Sequence, residues 1–403
     1  MSLRSLRTFR PKVQPNVVIV ELVDEDGAVG IGETFFGAGA VDAYLHEVAA
    51  PLLFDAAHEP TPNAVAQTLR SYVGYQGSGA ETRGNSAVDL AAWDLLAKRA
   101  GQPLAKLLGG TFRPSAPVYN TCAGPGYVSK GTRQHTSNWG LGDADDQLQD
   151  LARFLTKPGE LARELLDEGI KAMKIWPFDA AAEASHGTAI SSRELAAGCA
   201  LIDEIRDNVA DEMDIMIELH GLWNLPAAVK ICTALEPYDL TWVEDPIRPD
   251  ATDALAALRS QTSVPLAVGE TLSGRRAYLP LLAAGAIDHA IIDLTWTGGL
   301  SEAVKVASLA DSFAVAAAPH DCTGPIALTA GVHLSVSQPN IAIQETVRAF
   351  YRGWYTAVAT GLPEISDGHI YLSERPGLGV ELHDDLAHRS DVIVRTSNRE
   401  DLQ

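Results

Sequence analysis

Lysine and arginine are scarce in this sequence: 31 of them stand against 52 aspartates and glutamates in 403 residues, a formal net charge of −21. That deficit argues against a nucleic-acid partner, because phosphate recognition needs clustered Lys and Arg. It also sets a condition on any anionic ligand, since a local cation or metal must reverse the field at its site. Cysteine is sparse too. Cys122, Cys199, Cys232 and Cys322 fall at neither disulfide-framework nor metal-ligand spacing, so they read as reduced thiols in a cytoplasmic protein. No apolar run approaches the ~20 residues of a membrane helix. The basic opening "MSLRSLRTFRPKVQ" lacks the apolar core of a signal peptide, and no membrane partner is expected. No glycine fingerprint for a dinucleotide follows the first strand-like run.

What is present is alternation of element types. In residues 1–115, "NVVIVELVDEDGAVGIGE" reads as a hairpin turning at Gly27, and "SAVDLAAWDLLAKRAGQPLAKLLGG" as a helix capped at Asn85 or Ser86 and stopped by Gly-Gly. Strands followed by helices predict an α+β lobe there. Over residues 116–345 the pattern becomes strand, loop, helix, repeated. The strand candidates are "APVYNT", "KAMKIW", "DIMIELH", "LTWVE", "PLAVGE", "HAIIDL", "FAVAAAPH" and "NIAIQE". Eight strands alternating with amphipathic helices predict a (β/α)8 barrel. The glycine-rich stretch "AGPGYVSKGTRQHTSNWGLGDADD" reads as a loop over the barrel mouth. Residues 346–403 are expected to pack back on the first lobe.

Barrel chemistry gathers at the C-terminal ends of the strands. Consecutive candidate strands end in Glu218, Glu244 and Glu270, 26 residues apart each time. Three crowded carboxylates repel one another unless a cation holds them. Oxygen ligands alone favour a hard ion, Mg²⁺ before Mn²⁺ or Ca²⁺. A strand-end glutamate is commonly a surface charge, but three in register call for another account. The next two strands present Asp293 and His320; an Asp beside a His fixes its tautomer and raises its pKa, which suits a general base or acid. Taken singly, His320 could equally cap the turn after Pro319. Lys174, with Trp176 on the same inward face, suits a carboxylate ligand beside a metal, its alternative being a surface lysine. Glu345 ends the eighth strand. In "IELHGLWN", His220 lies two residues beyond Glu218, which on a strand would send both side chains into one cavity.

These motifs resemble a family. "WVEDP", "VGE", the even carboxylate spacing, "IIDLTWTGGL" and "APHD" look like the enolase superfamily, in its mandelate-racemase-like subgroup. "AAWDLLAKRAGQPLAKLLGG" is similar to that family's capping domain. The resemblance implies a modified barrel with a cap built from the N-terminal segment and the C-terminal tail. It implies Mg²⁺ (or Mn²⁺) on Glu218, Glu244 and Glu270, and proton abstraction α to a carboxylate to give a metal-stabilised enediolate. His320, Asp293, Lys174 and Glu345 fall at the family's functional strand ends. The sequence departs from the pattern at three places. Glu218 stands where an aspartate is commoner, Trp176 replaces the second lysine of a Lys-x-Lys motif, and Asp293 replaces a lysine on the sixth strand. The last two weaken the two-lysine chemistry of muconate cycloisomerases and dipeptide epimerases.

His220 resembles the histidine found at its position in sugar-acid dehydratases, where it can protonate a leaving hydroxyl; the alternative is a histidine that orients Glu218. The expectation is therefore an acid-sugar dehydratase and homo-oligomer with a small sugar acid as substrate. His320 or His220 is the base and the other the acid. A racemase using Lys174 and His320, or a sugar-acid sensor without turnover, are the rivals. Specificity is expected from "TFFGAG", from "YQGSGAE" and from the mouth loop with Arg133 and His135, with Trp176 and Trp223 as possible walls.

Overall fold

The computed structural model describes residues 2–70 and 77–402. The first lobe is an antiparallel sheet of β1 (Leu3–Pro11), β2 (Val17–Asp24) and β3 (Val29–Phe35), with the C-terminal strand Val392–Asn398 beside β1. The hairpin turns where expected: Gly27 adopts φ +86°, and Asp24 Oδ1 accepts from the Ala28 N–H at 2.8 Å. The first strand was not evident in the basic opening, where arginines interrupt the apolar alternation. β2 is buried along its whole length, because the large core shared with the barrel covers one face (Val17, Ile19) and the helix Ala80–Arg99 the other (Val18, Val20, Leu22). That contact explains "VGIGE". A Cβ on Gly30 would lie 2.0 Å from Ala91 O, and one on Gly32 1.9 Å from Ala87 O, so helix and strand touch backbone to backbone. The helix begins at Ala80, earlier than the Asn85 or Ser86 cap expected. Asn85 instead accepts from Tyr44 Oη, and Ser86 Oγ donates to Thr82 O within the helix.

The second unit is the expected barrel. Its strands are β4 (Ser115–Thr121), β5 (Ala172–Ile175), β6 (Asp214–Glu218), β7 (Trp242–Glu244), β8 (Leu266–Val268), β9 (His289–Ile292), β10 (Ala316–Pro319) and β11 (Gln344–Thr346). Neighbours pair in parallel from β4 to β10, and β11 pairs with β4. The ring closes just before β11, where Ala317 N donates to Asn340 O at 2.9 Å and Ala342 N to Ala317 O at 2.8 Å. One apolar side chain per strand fills the interior: Tyr119, Ala172, Met216, Trp242, Ala267, Ile291, Ala318 and Ile343. Large Tyr119 and Trp242 meet edge to face at 5.6 Å between centroids and are balanced by three alanines.

The lobe is fastened over the C-terminal mouth of the barrel by buried polar contacts. Thr34 Oγ1 donates to Thr295 O (2.9 Å), and Trp296 Nε1 to Phe35 O (3.1 Å). Asp89 caps the barrel helix Leu300–Ser312, accepting from Ser301 N at 2.9 Å, and Glu33 accepts from Ala327 N at 2.5 Å. Burial pushes Asp89 up to about 7 and Glu33 up to about 8. The tail divides its contacts: the hairpin Glu364–Ser366/His369–Tyr371 adds to β4 of the barrel, and Val392–Asn398 pairs with β1. Among the described residues, no helix is long and apolar enough to cross a membrane.

Candidate active site

Period-two alternation places the next inward position two residues beyond each member of the apolar layer. Those residues are Thr121, Lys174, Glu218, Glu244, Gly269, Asp293, His320 and Glu345. The barrel thus changes from a dry apolar plug to a polar layer within one pleat, and the sequence-predicted groups of six strands land in it. β8 is the exception. It ends at Val268, and at Gly269, φ +134°, the alternation breaks: a Cβ there would lie 2.7 Å from the Tyr278 ring, outside the barrel interior. Glu270 therefore reaches the layer from the turn beyond, not from the strand end as expected.

Glu218, Glu244 and Glu270 each offer an oxygen within 4.8 Å of the others, all buried. Trp242 Nε1 holds Glu244 Oε2 at 2.9 Å. Lys174 Nζ lies 2.8 Å from Glu244 Oε1, 3.3 Å from Glu218 Oε2 and 3.1 Å from Glu345 Oε1. Burial raises Glu244 and Glu270, although Lys174 and His320 oppose it; at Glu218 the neighbouring His220 and Lys174 outweigh burial and bring it down to about 2. One lysine is too little positive charge for this many carboxylates, and Asp245, buried behind them with its pKa raised by burial, adds another. All-oxygen donors at this mutual distance fit a hard divalent cation. Glu345 accepts from Thr121 Oγ1 and, at 2.9 Å, from Asp321 N.

Two histidines face this layer. His320 Nδ1 lies 2.6 Å from Asp293 Oδ2, and its Nε2 3.1 Å from Glu270 Oε2. Burial disfavours the imidazolium, but the carboxylates of Glu270, Glu345 and Asp293 outweigh it and raise the pKa well above the ordinary value. Asp293 Oδ1 is itself fixed by Thr295 N and Oγ1, both at 2.6 Å. His220 lines the same cavity, for a different reason from the one the alternation suggested. β6 ends at Glu218, and His220 sits in a turn at φ +51°. Its Nδ1 lies 2.9 Å from Asp179 Oδ2, and Asp179 and Glu218 overcome burial to hold its pKa near 10. Asp179 was not foreseen. It opens the short helix Asp179–Ser185 in the loop after β5, and no local motif marks it.

The cavity above has aromatic walls. Phe35 and Phe36 of "TFFGAG" line it, as does Trp176, whose ring meets His220 edge-on at 5.9 Å. Trp296 was unforeseen; it lies over His320 at 5.2 Å and carries Arg83 on its ring at 4.6 Å. Trp223 is buried but does not line the cavity. From the mouth loop Gln134 lines it, whereas Arg133 and His135 are exposed, with His135 3.3 Å from Glu183. Of "YQGSGAE", Tyr75 and Gln76 lie outside the described residues.

Comparison with known proteins agrees with this architecture. Residues 7–109 match the mandelate racemase/muconate lactonizing enzyme N-terminal domain, and residues 158–386 the enolase C-terminal domain-like family. The D-galactonate dehydratase of Pectobacterium atrosepticum is 28% identical over 412 residues, covering 100% of this chain and 96% of that one. That of Xanthomonas oryzae pv. oryzae is 27% identical, covering 97% and 94%. The crystal structure of an enolase of the mandelate racemase subgroup from Agrobacterium tumefaciens superposes with a TM-score of 0.86 at 40% identity, covering 99% of both chains. An enolase protein from Sargasso Sea environmental sequencing gives 0.87 at 40% identity over 98% and 99%.

Proposed function

Because the chain belongs to the enolase superfamily, with the mandelate racemase/muconate lactonizing enzyme N-terminal domain, we propose that it is a Mg²⁺-dependent sugar-acid dehydratase. The observation that carries this is the pair of His–Asp dyads facing one cavity beside the carboxylate triad. In the ring of eight strands β6 and β10 are four places apart, so His220 and His320 approach from opposite sides. Anti elimination of water uses such a pair: a base on the α-carbon and an acid at the departing hydroxyl.

Glu218, Glu244 and Glu270 would hold the cation, whose charge would stabilise the anion that develops next to the substrate carboxylate. Lys174, held on β5 among Glu218, Glu244 and Glu345, would add positive charge on the side of that carboxylate. Asp293 fixes a proton of His320 on Nδ1; with the charge of Glu270, the largest cause raising its pKa, balanced in the loaded site, Nε2 would be free to take the α-proton. Asp179, with Oδ2 2.9 Å from His220 Nδ1, favours the charged form of that ring, so that His220 can deliver a proton to the 3-hydroxyl as the C–O bond breaks. The enol left behind tautomerises to a 2-keto-3-deoxy acid. The aromatic walls keep bulk water from the reacting atoms.

Racemisation by Lys174 and His320 is less well supported, because the Lys174 ammonium is engaged by three carboxylates. A sensor without turnover would need neither dyad. A panel of aldonates and aldarates incubated with enzyme and Mg²⁺ tests the reading. At least one acid should lose water and yield a 2-keto-3-deoxy product; a change of stereochemistry with no loss of mass would favour the racemase.

A further inference from the structure

The loop after β9 carries Asp293, the partner of His320, and Trp296, whose ring lies 5.2 Å from the imidazole. Asp293 O accepts from Trp296 N at 3.2 Å and from Thr297 N at 2.9 Å, so both residues belong to one tight turn. The cap grips that loop along its length. Its helix Ala80–Arg99 brings Arg83, Ser86, Asp89 and Trp93 to it, spaced three, three and four residues apart and therefore on one helix face. Ser86 Oγ accepts from Gly298 N at 3.0 Å, Asp89 Oδ1 from Ser301 Oγ at 2.6 Å, and Trp93 Nε1 donates to Ser301 Oγ at 2.9 Å.

Arg83 is the member of that face that meets Trp296. Its guanidinium carbon lies 4.6 Å from the ring centre, and its Nη1 donates to Phe35 O at 2.6 Å. Trp296 Nε1 donates to the same oxygen at 3.1 Å, so one cap carbonyl holds both the arginine and the indole. Burial lowers the pKa of Arg83, while the carboxylates of Asp293 and Glu270 favour its charge. Those are the two carboxylates against His320, at 2.6 and 3.1 Å. The hydrogen bond from Nδ1 to Asp293 leaves an imidazole free to tilt about it; a flat surface against the ring removes that freedom. Attraction of the guanidinium to the indole face holds that surface in place.

We propose that Arg83 is a positioning residue for the base: through Trp296 it fixes the plane of the His320 ring, so that docking of the cap completes the dyad. The proposal rests on the dehydratase reading for the step that the ring serves, and on the contacts of Arg83, Trp296 and His320 for the rest.

Arg83→Met keeps the reach of the side chain and removes its charge and donors; Arg83→Lys restores the charge. With Mg²⁺ and an acid that the wild type dehydrates, Arg83→Met should lower kcat and α-hydrogen exchange together by about tenfold to a hundredfold. KM should change little, and Arg83→Lys should recover part of the loss. A wild-type kcat in Arg83→Met, or a rise in KM alone, which would make Arg83 a substrate ligand, overturns the proposal. The second readout needs no turnover. In NMR spectra of protein carrying isotope-labelled histidine, the His320 signal, identified by its loss in His320→Asn, should move in Arg83→Met and return toward its place in Arg83→Lys. The signal of His333, which has other partners, should stay where it is. If no acid is dehydrated, the reaction assignment fails, and this readout decides alone: a His320 signal that moves upholds the proposal, and one that does not overturns it. Should Arg83→Met not fold, Arg83→Gln takes its place, because its amide can still donate to Phe35 O.

Discussion

Glu218 and Glu244 are direct partners in register across β6 and β7, so two carboxylates stand side by side where neither meets water. Such a pair persists in a folded protein when a cation is shared between them. Replacing Glu244 by Gln keeps the shape and removes one charge. Calorimetry should show Mg²⁺ affinity falling at least about 100-fold, above the 10–100-fold typical of an outer-shell change, with dehydration lost. Unchanged Mg²⁺ affinity would refute the triad as the metal site.

The two dyads make separable demands. Asp293→Asn should lower turnover about 10²–10⁴-fold by mis-setting the His320 proton, while the circular dichroism spectrum stays that of the wild type. Asp179→Asn should slow loss of the hydroxyl with α-proton removal retained. A wild-type rate and pH profile in either variant would remove that aspartate from the mechanism.

Arg348, directly beyond β11, fastens the strand that carries Glu345. It donates from Nε and Nη2 to the two carboxylate oxygens of Asp150, both at 2.7 Å, and from Nη1 to Glu168 at 2.9 Å, while only 3% of its side chain is exposed. Arg348→Met leaves the buried Asp150 carboxylate without its cation, with Asn120 Nδ2 as a remaining donor. Chemical denaturation should show a loss of about 3–5 kcal/mol; a variant as stable as wild type would show that the buried pair is replaceable.

His333 makes stability depend on acid. Burial lowers its pKa from 6.5 to about 4; Nδ1 accepts from Ala105 N, and Nε2 donates to Leu378 O. The folded pKa lies below the unfolded one, so the contribution is complete above pH 6.5 and declines as pH falls toward 4. The buried carboxyls of Glu33 and Asp89, with raised pKa values, act in the opposite direction. Comparison with His333→Asn cancels them. Between pH 6.5 and 4 the wild type should lose about 3 kcal/mol more than the variant. Parallel stability curves would show that His333 is not buried as a neutral ring.

Much of the site was legible because a barrel strand writes its layers into sequence at period two. Apolar Met216, Trp242 and Ile291 are followed two residues later by Glu218, Glu244 and Asp293, and that switch is visible without coordinates. Glu270 was identified with the strand end, although the strand stops at Val268 and Glu270 follows the positive-φ turn at Gly269. His220 was expected on the right cavity for a wrong reason, since a positive-φ turn, not a pleat, aims it. Asp179, Trp296 and Gln134 were not legible as members of the site. Each comes from a loop or helix start, where direction is set by tertiary packing and leaves no periodic trace. Arg133 and His135, expected to act from the mouth loop, are exposed and do not line the cavity.

The central claim is that His320 removes the α-proton and His220 delivers a proton to the leaving hydroxyl. Exchange of substrate α-hydrogen with solvent deuterium tests it most directly, read by NMR alongside product formation for a substrate that the wild type dehydrates. His220→Asn should form product about 10²–10⁴-fold more slowly yet still exchange the α-hydrogen, whereas His320→Asn should lose both. Exchange that survives in His320→Asn and vanishes in His220→Asn, or near wild-type dehydration by His220→Asn, would contradict the account.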